Sequence, residues 1–216
     1  TSMGPFFDRW MCSVYDVQKR FGRWDEIIAE PAPPETLLVT TAIWRAHRAI
    51  AFAAKKDFAN AEIEYTKFRN ARAAIPLAVL EMGGMDDRFL EVSDLFIRGE
   101  IALQKERWTL ATELLTDAAA IESTLAYGEP PQWLQPIRHT LGAVYLATNQ
   151  YAKAEQCYRE DLEKWPNNGW SLFGLSKALT GLGKKKAAQE ALANYEKYWA
   201  KADAPLTTSC KCLEID

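Results

Sequence analysis

Small and large side chains recur in register along this chain, and this recurrence restricts its possible folds more than any other feature. One set of positions combines small residues, aromatic residues and a proline: Leu141, Gly142, Tyr145, Tyr151, Ala154, Tyr158 and Pro166. The pattern of size is largely repeated 34 residues later, at Leu175, Ser176, Leu179, Lys185, Ala188, Leu192 and Ala200. A self-similar unit of this length predicts a repeat protein whose units stack on one another.

Two upstream units keep the same internal offsets, and a partial unit precedes them. They comprise Gly99, Ala102, Trp108, Ala111, Leu115 and Ala118, then Ala49, Phe52, Phe58, Ala61, Tyr65 and Phe68, and the partial set Phe21, Trp24 and Ile27. The spacing is 43 residues between Gly99 and Gly142 and 50 residues between Ala49 and Gly99. We therefore expect longer helices in these units and an added loop over residues 127–136.

Pro and Gly residues separate stretches of helical periodicity, and no convincing strand alternation is present. We predict ten helices in five antiparallel pairs, over residues 5–20, 22–30, 36–55, 58–75, 86–105, 107–126, 133–148, 151–164, 169–182 and 185–201. Asp57, Asp86 and Asn168 are the predicted N-caps. Asn149 and Gly183 occupy equivalent turns, where a left-handed residue is suitable.

The offsets have a packing explanation. Gly142 in the first helix of a pair and Ala154 in the second allow the two axes to approach to about 8–10 Å. Large residues such as Tyr145 and Tyr158 fill the space beside them. A single hairpin cannot cover its own apolar face, so each pair is expected to stack on its neighbour.

This pattern resembles the tetratricopeptide repeat (TPR), most closely over residues 141–166 and 170–199, and less closely over 95–118, 44–68 and 7–30. Six shorter strings resemble large bacterial TPR-repeat proteins of undefined role: residues 20–31, 127–133, 136–139, 141–143, 158–162 and 166–175. We expect an all-α, right-handed superhelix of about five TPR-like helical hairpins over residues 1–204. The resemblance implies that this chain corresponds to the C-terminal part of longer proteins. The polar residues 205–216 are expected to form a flexible tail.

Composition excludes several function classes. The 26 basic and 29 acidic residues give a net charge of −3, which disfavours sequence-independent binding to nucleic acid. Two His residues are too few for a His-rich metal site, and no apolar run is long enough to span a membrane. Neither a Gly-x-Ser-x-Gly nucleophile elbow nor a phosphate-binding loop is present. We therefore predict a protein that is not an enzyme and has no cofactor.

The four cysteines do not indicate a disulfide framework. Cys12 and Cys157 lie in predicted helices and are interpreted as inert thiols. Cys210 and Cys212 are separated by one residue, with no His nearby. The main interpretation is free thiols or a disulfide in the tail, and the alternative is a metal or redox role, since thiolates bind soft ions.

A partner-binding groove is predicted where the first helix of each pair would line the concave surface. Its candidate residues combine aromatic side chains with charges of both signs: Phe96, Glu100, Trp133, Arg138, His139, Trp170, Phe173 and Lys177. Aromatic and Arg side chains are the usual anchors of interfaces. The alternative is that Trp133 and Trp170 fill the core where the loop packs back. Arg48 and Arg98 are interpreted as structural ion pairs with acids such as Asp94 or Glu62, or else as an anion site.

The predicted function is a non-enzymatic scaffold that binds a protein or peptide segment. The alternative is a C-terminal support for a larger metal-binding or catalytic protein whose site lies in upstream repeats. A third hypothesis is self-association, in which an exposed terminal hairpin packs on another copy.

Overall fold

The computed structural model describes residues 4–126, 128, 131 and 133–213, and in that part of the chain it forms helices and no strands. The helices are α1 (Gly4–Met11), α2 (Ser13–Arg20), α3 (Trp24–Ala29), α4 (Leu38–Ala54), α5 (Phe58–Ala73), α6 (Leu77–Met82), α7 (Arg88–Gln104), α8 (Trp108–Ser123), α9 (Ile137–Ala147), α10 (Tyr151–Lys164), α11 (Gly169–Gly181) and α12 (Lys185–Trp199). The prediction of an all-α chain of helical hairpins is confirmed. None of these helices combines the length and apolarity that a membrane crossing requires.

The chain divides into two compact units, an N-terminal unit over residues 1–135 and a C-terminal unit over residues 136–216. The expectation of one continuous repeat domain over residues 1–204 stays a prediction. The boundary falls in the long connection between α8 and α9, where the predicted repeat spacing is 43 residues instead of 34.

The N-terminal unit contains two long hairpins, α4–α5 and α7–α8, and its first helices α4 and α7 pack on each other. Helices α1, α2 and α3 also pack on α4, and α6 packs against α1. The core between these elements includes Tyr15, Ile43, Trp44, Leu80 and Phe89. Its burial supplies the main driving force for this unit.

The C-terminal unit contains the hairpins α9–α10 and α11–α12, with α11 packed against both α9 and α10. Its core includes Leu146, Tyr158, Leu175 and Leu179, and Tyr158 is fully buried. This is the stacking that the 34-residue register predicts.

The hairpins α4–α5, α7–α8, α9–α10 and α11–α12 each turn through a residue with left-handed backbone at the same place. These residues are Lys56, Glu106, Asn149 and Gly183, with φ between 56° and 71°. In each turn the next amide donates to a carbonyl five residues earlier, as from Gln150 to Tyr145 at 2.8 Å. This bond satisfies a carbonyl at the helix end. The prediction for Asn149 and Gly183 is confirmed.

Two departures from the predicted helices have local causes. The helix expected over residues 5–20 is divided at Cys12, where Ser13 Oγ donates to the Trp10 carbonyl at 2.7 Å. Such a side-chain bond competes with the helical backbone bond. The 50-residue spacing contains the unpredicted α6, which begins directly after Pro76.

Two of the three predicted N-caps are confirmed. Asp57 accepts from the Asn60 amide at 3.1 Å, and Asn168 accepts from the Trp170 amide at 3.0 Å. The cap of α7 is Asp87, one residue after the predicted Asp86.

Candidate functional site

The eight predicted groove residues are distributed over the two units. Phe96, Glu100 and Trp133 belong to the N-terminal unit, and Arg138, His139, Trp170, Phe173 and Lys177 belong to the C-terminal unit. Phe96, Glu100, His139 and Trp170 are buried, between 0% and 4% exposed. These four side chains therefore differ from the expectation of an open groove floor.

Trp133 fills the core of the N-terminal unit. Its ring centre lies 5.5 Å from that of Phe96 in an edge-on arrangement and 5.9 Å from that of Phe89. Edge-on aromatic contacts of this kind are favourable because the ring faces are negative and the edges positive. The loop before Pro136 thus packs back onto α7, as the alternative interpretation of Trp133 predicts.

Lys19 is a buried cation in the N-terminal unit and is not among the predicted site residues. Its ammonium nitrogen lies 4.2 Å from the centre of the Phe96 ring and donates to Gln135 Oε1 at 2.9 Å. Burial lowers the pKa of Lys19 to about 8, although the negative charges of Glu100 and Asp16 oppose this change. In the sequence, a Lys in the polar helix Ser13–Arg20 gives no sign of burial.

Arg48 and Arg98 form structural contacts. The Arg48 Nε atom lies 3.5 Å from Glu64 Oε2, and its guanidinium lies 5.0 Å from the Trp44 ring centre. Arg98 pairs with Asp94 at 3.6 Å. Asp94 is among the acids that the prediction named, and Glu64 is not.

In the C-terminal unit, His139 belongs to a buried polar network. Its Nε2 atom lies 3.1 Å from Asp161 Oδ2, and Ser171 Oγ donates to the same oxygen at 2.5 Å. The network joins α9, α10 and α11. In a nucleophilic triad the histidine stands between the serine and the carboxylate. Here the carboxylate stands between the other two, which is not the order of a nucleophilic triad, and the network links three helices of the unit.

Arg138 and Trp170 also support the helices around the site. Arg138 Nε lies 3.3 Å from Glu160 Oε2, which joins α9 to α10. The ring centre of Trp170 lies 6.0 Å from that of Trp199, which packs the start of α11 against the end of α12. This contact is the core-filling role of the alternative interpretation.

Phe173 and Lys177 border an open cleft of about 390 Å³ in the C-terminal unit. They lie one turn apart on α11, with the Lys177 nitrogen 5.3 Å from the centre of the Phe173 ring. The remaining wall residues come from the end of α9, the following turn, the start of α10, the end of α11 and the C-terminal segment: Leu146, Ala147, Asn149, Tyr151, Thr180, Gly181, Thr207, Thr208 and Ser209. The cleft combines apolar wall, an aromatic ring, hydroxyl groups and one exposed cation.

The C-terminal segment, defined here as residues 204–213, packs against its own unit. Leu206, Ser209 and Cys210 are buried, which differs from the flexible tail expected over residues 205–216. Cys210 and Cys212 form a disulfide, so their sulfurs are not thiolate ligands in this structure. Its polar residues provide hydrogen-bonding groups, among them the hydroxyls of Thr208 and Ser209.

Exposed apolar side chains follow α1 and α2 at helical spacing. Phe7, Met11, Val14 and Val17 are each between 44% and 56% exposed. This row is the surface that the self-association hypothesis would use. Self-association itself stays a prediction.

No protein-family model matches the chain, and no curated protein matches it. A solved structure that is similar comes from Podosopora anserina, and its description names a kinesin light chain with nearly identical TPR-like repeats. The sequence identity is 16%, the match covers 93% of this chain and 98% of that one, and the TM-score is 0.48. A similarity of this level does not identify a function or a partner. The hairpins themselves are TPR-like, since they have the predicted small-to-large contacts and left-handed turns.

Proposed function

We propose that this protein is a non-enzymatic helical-repeat scaffold and that its C-terminal unit binds a peptide segment in the cleft beside Phe173 and Lys177. A fold of stacked helical hairpins suits a scaffold for protein interactions in general. The observation that supports this particular site is the cleft itself, because it combines an accessible aromatic ring with an exposed cation.

The cleft favours an extended peptide with an apolar side chain and an acidic group. The apolar side chain would bury surface against Phe173 and Leu146, and the acidic group would pair with Lys177. The buried residues Trp170 and His139 do not line the cleft. They are positioning residues, since their contacts hold α11 and α9 in place. Phe96, Glu100 and Trp133 belong to the N-terminal unit and Arg138 pairs with Glu160, so none of these four residues lines this cleft.

The proposal is tested by selecting peptides from a displayed random library on the full chain. The selected peptides are synthesised, and their affinities are measured by fluorescence anisotropy against wild type, Phe173→Ala and Lys177→Glu. We expect at least a tenfold loss with Phe173→Ala, because an aromatic anchor dominates interfaces of this kind. Lys177→Glu should weaken binding of acidic peptides in particular.

Lys186→Glu is the matched control for charge, because Lys186 is exposed on α12 and does not line the cleft. Its effect should stay within about twofold, as expected for a single screened surface charge. Selected peptides that bind Phe173→Ala and Lys177→Glu as tightly as wild type would refute the assignment of the cleft.

A further inference from the structure

The C-terminal segment turns back after α12 and is held at its start by two aromatic side chains of that helix. Trp199 Nε1 donates to the Ala204 carbonyl at 2.7 Å, and the Leu206 amide donates to the Tyr195 hydroxyl oxygen at 3.3 Å. Leu206 is buried, at 7% exposure. Leu206 is thus the apolar anchor of a segment that has neither helix nor strand.

The central contact of the segment is the one between Ser209 and Tyr158, and it is made through a gap between α9 and α11. The ring of Tyr158, from α10, lies where Gly142 of α9 and Gly174 of α11 have no side chains. A Cβ atom at these positions would lie 2.4 Å and 2.2 Å from Tyr158 Cζ. The phenol therefore extends between α9 and α11, and its hydroxyl lies 2.5 Å from Ser209 Oγ.

The hydroxyl of Tyr158 is a hydrogen-bonding group with a fixed position. Its ring is fully buried, and burial raises the pKa of the phenol above its ordinary value, so it stays protonated at neutral pH. Ser209 Oγ also lies 3.4 Å from the His139 carbonyl oxygen. One serine hydroxyl thus contacts both α10, through the tyrosine, and the backbone of α9.

The end of the segment is fixed by α9. Thr140 Oγ1 lies 3.3 Å from Cys210 Sγ and 3.8 Å from Cys212 Sγ. Within the segment, Thr208 Oγ1 donates to the Cys210 carbonyl at 3.0 Å. The segment therefore lies on the face formed by α9 and α11, and its residues 207–209 form one wall of the cleft beside Phe173.

We propose that this α9/α11 face is a peptide-binding site whose resident ligand is the chain's own C-terminal segment. The ligand that replaces it is an extended segment of another molecule. That ligand has an apolar side chain three residues before a serine or threonine, the spacing of Leu206 and Ser209 in the resident segment. The proposal deepens the proposed function and rests on it, because the same segment borders the cleft. The Tyr158 hydroxyl is the group that distinguishes a hydroxyl-bearing ligand from others.

The test uses the full chain and a fluorescein-labelled synthetic peptide of residues 204–213 with its two cysteines joined as a disulfide. In wild type, the tethered segment has an effective concentration in the millimolar range, so micromolar peptide cannot displace it. In the Leu206→Asp chain the resident segment is released, because a charge replaces its buried anchor. We expect the peptide to bind Leu206→Asp at least tenfold more tightly than wild type.

The specificity of the hydroxyl contact is tested with a second peptide that contains Ser209→Ala. On the Leu206→Asp chain this peptide should bind about three- to tenfold more weakly, the usual effect of one hydrogen bond. The matched control adds Tyr158→Phe to Leu206→Asp, which removes only the phenol oxygen. On that chain the preference for the serine peptide should fall, because only the contact of Ser209 with the His139 carbonyl remains.

The proposal is overturned if the peptide does not bind a Leu206→Asp chain with native helical circular dichroism, or if Tyr158→Phe leaves the preference for serine unchanged. Should Leu206→Asp reduce the helical signal, Tyr195→Phe gives a milder release of the segment and is assayed in the same way. Phe173→Ala in the released chain separates the two proposals. Binding that needs the Tyr158 hydroxyl but not the Phe173 ring supports the segment site and contradicts the cleft assignment. Binding that needs the Phe173 ring but not the Tyr158 hydroxyl contradicts the segment site.

Discussion

Replacing Gly174 by alanine should destabilise the C-terminal unit, although the same change usually stabilises a helix. The new Cβ would lie 2.2 Å from Tyr158 Cζ, much closer than such atoms approach in real structures. The ring has no room for a small shift within its site, because it is fully buried and also lies against Gly142. Tyr158 must therefore leave its position, and its hydroxyl contact with Ser209 is then lost.

The size of the effect follows from three contributions. Overpacking a filled core costs about 1–3 kcal/mol, and leaving a buried hydroxyl unpaired costs about another 1–3 kcal/mol. Replacing glycine by alanine inside a helix returns about 1 kcal/mol. We expect a net loss of about 3 kcal/mol, the middle of the resulting range of about 1–5 kcal/mol. In a unit of about 80 residues, each kcal/mol lowers the Tm by about 4–8 °C, so the Tm should fall by about 10–20 °C.

The assay is thermal unfolding followed by circular dichroism and by Trp fluorescence. Gly181→Ala is the matched control on the same helix, because its Cβ would also meet a tyrosine ring, that of Tyr151 at 2.4 Å. Tyr151 is only partly buried and can rotate towards solvent. This control should therefore change stability by no more than about 1 kcal/mol. Equal effects of Gly174→Ala and Gly181→Ala would refute the argument that a locked ring determines the cost.

Three further predictions concern local features. Glu106 and Gly183 both have left-handed backbone, which glycine adopts at less cost than other residues. In urea unfolding, Glu106→Gly should therefore raise the free energy of unfolding by about 1 kcal/mol, and Gly183→Ala should lower it by a similar amount. Changes of the opposite sign would contradict this. Asn168→Ala should cost about 1 kcal/mol, since it removes the cap of α11, and an unchanged urea midpoint would exclude that role. The pKa of Lys19 is lowered to about 8 in the folded state, so between pH 8 and pH 10.5 the unfolded chain binds more protons than the folded chain. The free energy of unfolding, measured relative to Lys19→Met, should therefore rise with pH over this window by up to about 3 kcal/mol. A difference between the two chains that does not depend on pH would contradict this prediction.

The helices and turns could be predicted because their determinants are local and repeated. The alternation of small and large residues placed Gly142 against the next helix, and the structure shows the ring of Tyr158 there. The equivalence of Asn149 and Gly183 predicted their left-handed backbone. The short helix α6 has no counterpart in the other units, so the repeat could not predict it.

The exposure of the candidate groove residues could not be predicted in the same way. The offset from Gly142 identifies the helix face on which a residue lies, but it does not say what covers that face. Trp133 covers Phe96, and it comes from a loop outside the repeat. The C-terminal segment covers part of the α9/α11 face through Ser209, although its polar composition suggested mobility. Both missed features are non-repeating segments that add contacts to a repeating framework.

The position of Tyr158 couples the packing of the C-terminal unit to its recognition chemistry. The ring sets the distance between α9 and α11, and its hydroxyl is the group that reaches the C-terminal segment. A change that moves the two helices therefore moves the hydrogen-bonding group as well, so binding and stability should change together in most variants of this region. Tyr158→Phe is the exception, because it keeps the ring and removes only the hydroxyl. If Tyr158→Phe weakens the preference for serine-containing ligands and keeps the helix packing, the result directly supports recognition by the Tyr158 hydroxyl through the gap between Gly142 and Gly174.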